Sequence, residues 1–156
     1  MSDLTHFDDE GRPHMVDVSA KPATERVAIA RGFVSVPETL LARIADGAIA
    51  KGDPIAIAEL AGIMGAKRTS DLIPLCHPIA LDSVRVAIRA EAGGLAVEAE
   101  AATTARTGVE MEAMTAVAVA CLTLYDMLKS AARDIRVERI ELAEKRGGKS
   151  GRWLRE

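Results

Sequence analysis

From Val109 to Ala131 the chain runs without a Pro or a Gly, and Val117, Val119, Cys121, Leu122, Leu124, Met127 and Leu128 spread around most of a helix circumference. A helix apolar on nearly every side needs cover from more than one direction. The T-x-x-E spacing of Thr107 and Glu110 just ahead of it reads as a capping box and predicts where it starts. At 156 residues the chain is one domain. One side of the helix is expected to face the domain's own sheet and another a second subunit, so packing alone predicts an oligomer. Its most apolar part, Ala113 to Tyr125, is well short of the roughly 20 residues that cross a bilayer, so no membrane-spanning segment is expected.

The rest of the chain supplies that sheet. Residues 26–36 are rich in β-branched side chains and close at Pro37, which predicts a strand. Residues 37–49 and 54–66 each open on a Pro suited to the first helical turn and carry Leu, Ile and Ala at helical spacing, giving two helices. Residues 81–91 and 95–101 alternate apolar and polar side chains around Gly93-Gly94, the pattern of a hairpin. Residues 135–142 return to a strand before Gly147, Gly148 and Gly151 break the chain. In order this is an α+β, ferredoxin-like βαββαβ sandwich, an antiparallel sheet with helices on one face. Residues 1–25 read as an N-terminal arm, 26–144 as the single domain, and 145–156 as a basic Gly-rich tail contributing to the site.

Composition excludes several function classes. Twenty Lys and Arg stand against 23 Asp and Glu, for a net charge of −3, and only Phe7, Phe33, Tyr125 and Trp153 are aromatic. An acidic balance with so few stacking platforms argues against a nucleic-acid binder. The acidic N-terminus has neither the basic start nor the apolar stretch of a signal peptide, so a cytoplasmic protein is expected, with Cys76 and Cys121 reduced.

Candidate chemistry falls in three places. Asp126 and Lys129 are i, i+3 neighbours, either a surface ion pair or an acid/base carboxylate whose pKa is tuned by burial and by its cationic partner. Glu110 and Glu112 flank Met111 in the first turn of the long helix, where Glu110 has a capping role to fill and Glu112 suits the helix dipole. KRTSDLIPLCHP, residues 67–78, sets Lys67 and Arg68 at a helix end and Cys76 and His77 in a loop. His77 can be a structural imidazole, and Cys76, His77, His6 and His14 match no zinc spacing, so no metal site is expected. Lys51 before Gly52, Arg106 before Thr107, and Lys145, Arg146, Lys149 and Arg152 around the terminal glycines are the kind of cation that meets a phosphate beside a flexible backbone. None belongs to a P-loop.

The strings HMVDVSAK (14–21), KGD (51–53), AKRTSDLIPLCHP (66–78), TGVEMEAMTA (107–116), YDMLK (125–129) and GGKSG (147–151) together resemble the MoaC family, the cyclic pyranopterin monophosphate synthases of molybdenum cofactor biosynthesis. The resemblance spans nearly the whole chain. It implies a lyase that rearranges 3',8-cyclo-7,8-dihydroguanosine 5'-triphosphate into cyclic pyranopterin monophosphate and releases pyrophosphate. It further implies Asp126, Lys129 and Lys51 as catalytic residues, and Leu75, Cys76, His77, Met111, Glu112, Glu110, Lys67 and Lys145 as substrate-binding residues. No cofactor is implied beyond Mg²⁺ accompanying the triphosphate, and the assembly implied is a hexamer, a trimer of dimers.

Other classes remain open to the residues alone: a non-catalytic oligomeric nucleotide or polyphosphate sensor using the same basic loops, or a purely structural hexamer. Spacing adds one expectation. Glu112 and Asp126 lie about 21 Å apart along one helix yet within about 40° of the same face. A compact substrate does not easily span both, so a site assembled from two antiparallel subunits is expected.

Overall fold

The computed structural model describes residues 6–8 and 10–156; the rest of the N-terminal arm, residues 1–5 and 9, lies outside the described residues. The elements follow in the order β1 (Thr24–Ser35), α1 (Glu38–Ala45), α2 (Pro54–Ala66), α3 (Thr69–Leu72), β2 (Ser83–Glu91), β3 (Gly94–Ala105), α4 (Glu110–Leu128), β4 (Arg136–Gly147) and β5 (Trp153–Leu154). The sheet is antiparallel throughout, in the order β2-β3-β1-β4-β5. Its first four strands have the ferredoxin-like arrangement, with α2 and α4 packed on each other and on the sheet.

Small side chains decide how closely these layers approach. The strands under α4 present Ala28, Ala30, Ala99 and Ala101, all buried. At Gly32 even a Cβ would run into Val117 and Cys121 of α4. Gly62 of α2 lies against the Ala116 carbonyl and Gly65 against the Val119 side chain, leaving no room for a methyl group at either. A glycine inside a helix costs about 1 kcal/mol relative to alanine, and here the close α2–α4 contact offsets it. Val117, Leu124 and Leu128 are fully buried, each contributing on the order of 1.5–3 kcal/mol. The opposite sheet face is charged, with Arg31 and Glu98 paired across β1 and β3 at 2.8 Å.

Element ends differ from expectation where local chemistry competes. α1 stops at Ala45 because Gly47 turns left-handed (φ +65°), the usual glycine stop for a helix. The T-x-x-E capping box does not form: α4 begins at Glu110 after Val109, with no side-chain cap. The Glu110 carboxylate instead folds back over Gly108 and accepts from Lys145 Nζ at 3.1 Å. β4 runs on to Gly147, and β5 returns to pair Lys145 with Trp153. Lys145 is therefore held on a strand, and the segment beyond it folds back onto the sheet.

Candidate active site

The sequence-predicted residues separate into two groups at opposite ends of α4. At its C-terminal end the KGD string has a local logic. Asp53 Oδ1 accepts from the Ile55 and Ala56 amides at 2.9 and 3.1 Å and caps α2, while Gly52 takes the left-handed turn (φ +96°). Lys51 is thereby carried to α4, where its Nζ donates to the Asp126 carbonyl at 3.1 Å. Lys129 Nζ donates to Asp126 Oδ1 at 2.5 Å. Two cations at a helix C-terminus are favourable in themselves. Here Lys129 holds the Asp126 carboxylate and Lys51 the backbone carbonyl of the same residue.

Asp126 is not buried as the sequence reading expected: its side chain is 62% exposed in the single chain. The Lys129 hydrogen bond, then the Lys129 and Lys51 charges, hold its carboxyl below the ordinary aspartate range, and Lys129 is raised in return. At neutral pH the cluster is an ionised carboxylate with the Lys129 ammonium on it, each a weaker base or acid for the pairing.

At the N-terminal end of α4, a cavity of about 360 Å³ is lined by Leu75, Cys76, His77, Glu110, Met111 and Glu112. The loop after α3 supplies the first three and the first turn of α4 the others. Glu112 is 4% exposed, and burial, then the neighbouring Glu110 charge, raises its pKa. The folded state therefore holds its proton more tightly than the unfolded chain, and stability falls as pH rises above the ordinary glutamate range. Glu112→Gln, which removes the charge and keeps the shape, is expected to raise the melting temperature at about pH 7 and to give a shrinking gain toward about pH 4. Thermal melts across that range check it; a destabilised variant at neutral pH would contradict it.

His77 Nε2–H donates to the Val16 carbonyl at 2.8 Å, so this nitrogen bears the proton. That bond docks the N-terminal arm across the cavity, where Val16, Val18 and Lys21 complete the wall. Burial, then the Glu112 charge, pushes the Cys76 thiol up. A thiol so protonated is a poor nucleophile. Cys76→Ser should accordingly keep activity within about threefold, checked by turnover and by the absence of a covalent adduct in mass spectra. Cys121 is free, buried in the core and pushed up to about 11.

Two predicted contacts stand apart from the cavity lining. Lys145 reaches the cavity lining through its pair with Glu110. Lys67 is the exposed C-terminal cap of α2, the structural role its helix-end position allowed. Conversely, Lys21, Thr107 and Gly108 line the cavity without having been singled out one by one. The signal was their place inside the HMVDVSAK and TGVEMEA strings. Among the described residues, no three His, Cys, Asp or Glu side chains gather as metal ligands.

A cluster of ionisable groups at one end of α4 and a cleft of small-molecule size at the other, on an α+β scaffold, are the features of an enzyme acting on a small polar metabolite. The chain belongs to the MoaC family, whose family model matches residues 15–148. It is 54% identical over its whole length to 95% of a cyclic pyranopterin monophosphate synthase of Thermomicrobium roseum. It is 55% identical to the protein of that name from Cereibacter sphaeroides strain KD131, over 98% of each chain, and 52% identical to that of Heliobacterium modesticaldum, over 100% of this chain and 99% of the relative.

Proposed function

We propose that this chain converts 3',8-cyclo-7,8-dihydroguanosine 5'-triphosphate into cyclic pyranopterin monophosphate and pyrophosphate, as a lyase of molybdenum cofactor biosynthesis in the cytoplasm. The observation that supports it best is the Lys51–Asp126–Lys129 cluster, an ionised carboxylate held by Lys129 with the Lys51 ammonium on the Asp126 backbone carbonyl. The reaction needs both functions. Reopening and closing the guanine-derived ring moves protons between nitrogen, carbon and oxygen, which Asp126 accepts and the lysines return. Closing the cyclic phosphate joins a sugar hydroxyl oxygen to the α-phosphorus and breaks its bond to the bridging oxygen of the β-phosphate. The hydroxyl proton goes to a base, and pyrophosphate leaves with the bonding pair, its charge met by cations.

The binding half is Leu75, Cys76, His77, Met111 and Glu112, with Glu110 set by Lys145, and with Lys67 supplied from the end of α2. Because the two halves sit at opposite ends of α4, each complete site draws Asp126 from one subunit and Glu112 from another. Ile57, Leu60 and Met64 on α2, and Leu122 and Tyr125 on α4, are exposed apolar side chains that favour helix-to-helix association. Asp126, adjoining Tyr125, would lose solvent in such a contact. A hexamer built as a trimer of dimers accords with this surface. A magnesium ion arriving on the triphosphate would be held by phosphate oxygens.

The test is incubation of the purified protein with the cyclised GTP intermediate. Stoichiometric pyrophosphate and the pterin product are expected. Tight binding without pyrophosphate release would show a nucleotide sensor and overturn the assignment.

A further inference from the structure

We infer that Asp17, on the N-terminal arm, is a positioning residue for the ring-binding cavity: its side chain forms a turn that sets the Val16 carbonyl on His77, and so fixes the imidazole and the arm's share of the cavity wall. This deepens the binding half of the proposed site and rests on that reading for its kinetic consequence. Asp17 is itself exposed, while Val16 and Val18 on either side of it line the cavity. Its side chain therefore acts through its neighbours and not on the ligand.

The arm is ordered mostly by its own bonds. Asp8 Oδ1 accepts from the Glu10 and Arg12 amides at 3.0 and 2.8 Å, and the His14 amide returns to the His6 carbonyl at 3.0 Å, closing a small hairpin with a bridge between Phe7 and Pro13. Further on, Asp17 Oδ1 accepts from the Ser19 amide at 2.8 Å, and the Lys21 amide donates to the Val18 carbonyl at 3.0 Å. The Asp17 bond makes an Asx turn, in which a side chain dictates the course of its own backbone two residues on. Among the described residues, the only hydrogen bond from residues 6–21 to the rest of the chain is the one from His77 Nε2 to the Val16 carbonyl, at 2.8 Å. A segment tied at one polar point docks only when that point is presented correctly. The Val16 carbonyl and the Asp17 nitrogen share one rigid peptide plane, so the turn that fixes Asp17 also aims the acceptor. The carboxylate stands close to the ring it serves: Ser19, its amide first, holds the Asp17 carboxyl below the ordinary aspartate range, and the His77 imidazole lowers it further. With Nε2 committed to Val16, the neutral imidazole keeps Nδ1 as its acceptor. Without the turn, the guanine-derived ring meets an imidazole of unfixed tautomer and a wall that is no longer held.

Asparagine can make the same turn and alanine cannot, so the two variants separate the turn from the charge. Both should fold, because the position is exposed. Imidazole resonances of the assembled full chain, labelled with nitrogen-15 histidine, give the first reading; the chain has three histidines, and His77→Gln assigns the signal of interest. The His77 Nε2 proton is expected to exchange roughly tenfold or more faster with solvent in Asp17→Ala and within about twofold of the unaltered rate in Asp17→Asn. Pyrophosphate release from the cyclised GTP intermediate gives the second. Asp17→Ala should raise KM by about tenfold with kcat changed by less than about threefold, since the Asp126 cluster at the other end of α4 is untouched, and Asp17→Asn should restore KM. An unaltered His77 signal in Asp17→Ala, an unaltered KM in that variant, or equal losses in the alanine and asparagine variants would each overturn the assignment, the last by showing that charge and not the turn is required. The imidazole signal needs no turnover. A protein that releases no pyrophosphate therefore sinks the proposed activity, and the spectrum still decides whether Asp17 holds His77.

Discussion

Asp126→Asn is expected to reduce turnover by about 10²–10⁴-fold with little change in melting temperature. Asparagine keeps the shape and can still accept from Lys129, but it carries no charge and takes up no proton. The stability effect is small because the asparagine oxygen still accepts from Lys129, so no partner is left unpaired. Lys129→Ala and Lys51→Ala should fall in the same activity class, since each removes a donor held against Asp126. A pH series adds a signed check. Lys129 and Lys51 depress the Asp126 pKa, so the carboxylate persists below the ordinary aspartate range and is lost only as pH falls through that lowered value. If the ionised form is required, the acidic limb of the rate profile sits correspondingly low. Pyrophosphate release and thermal melts measured together decide the matter: a large loss of stability with activity retained would show a structural ion pair.

Mixing two dead proteins should restore activity. With Glu112→Ala and Asp126→Ala subunits exchanged at equal amounts, half the dimers are mixed, and each mixed dimer has one unaltered composite site of two. About a quarter of the unmutated activity is therefore expected, from preparations that show almost none singly. α4 holds the two residues about 21 Å apart along its axis, too far for one compact substrate to reach both on a single chain. If each chain held a complete site, every site in the mixture would lack one group and nothing would return. The experiment needs subunit exchange, which mass spectrometry of the mixed species verifies.

The parts of the fold that showed in the sequence are those marked by a long apolar run or a strict alternation between clear breaks. α2 begins and ends as its Pro54 and apolar spacing predict, and the β2–β3 hairpin forms as expected but turns at Ala92-Gly93, with Gly94 already paired to Glu91. α4 was legible for the same reason. What was not legible depended on tertiary partners. The short β5 has no apolar alternation of its own and exists only against β4. The capping box at Thr107 failed because Lys145, 35 residues away, draws Glu110. The site followed the same division. Its residue types were visible in the motifs, but their separation to the two ends of α4, the exposure of Asp126 and the docking of the arm through His77 are facts of packing.

That both halves are borne by one uninterrupted helix makes the interval between them a fixed gauge. The gauge moves only in steps: one added residue advances Asp126 by about 1.5 Å and swings it by about 100° around the helix, away from the face it shares with Glu112. The Gly62 and Gly65 contacts lock the same helix against α2, so no sliding can absorb the error. Insertions can accumulate in surface connections such as residues 46–53 at small cost. Between Glu112 and Asp126 the chain has no such freedom, and if both act in one composite site as proposed, its length there constrains the reaction as much as any single side chain.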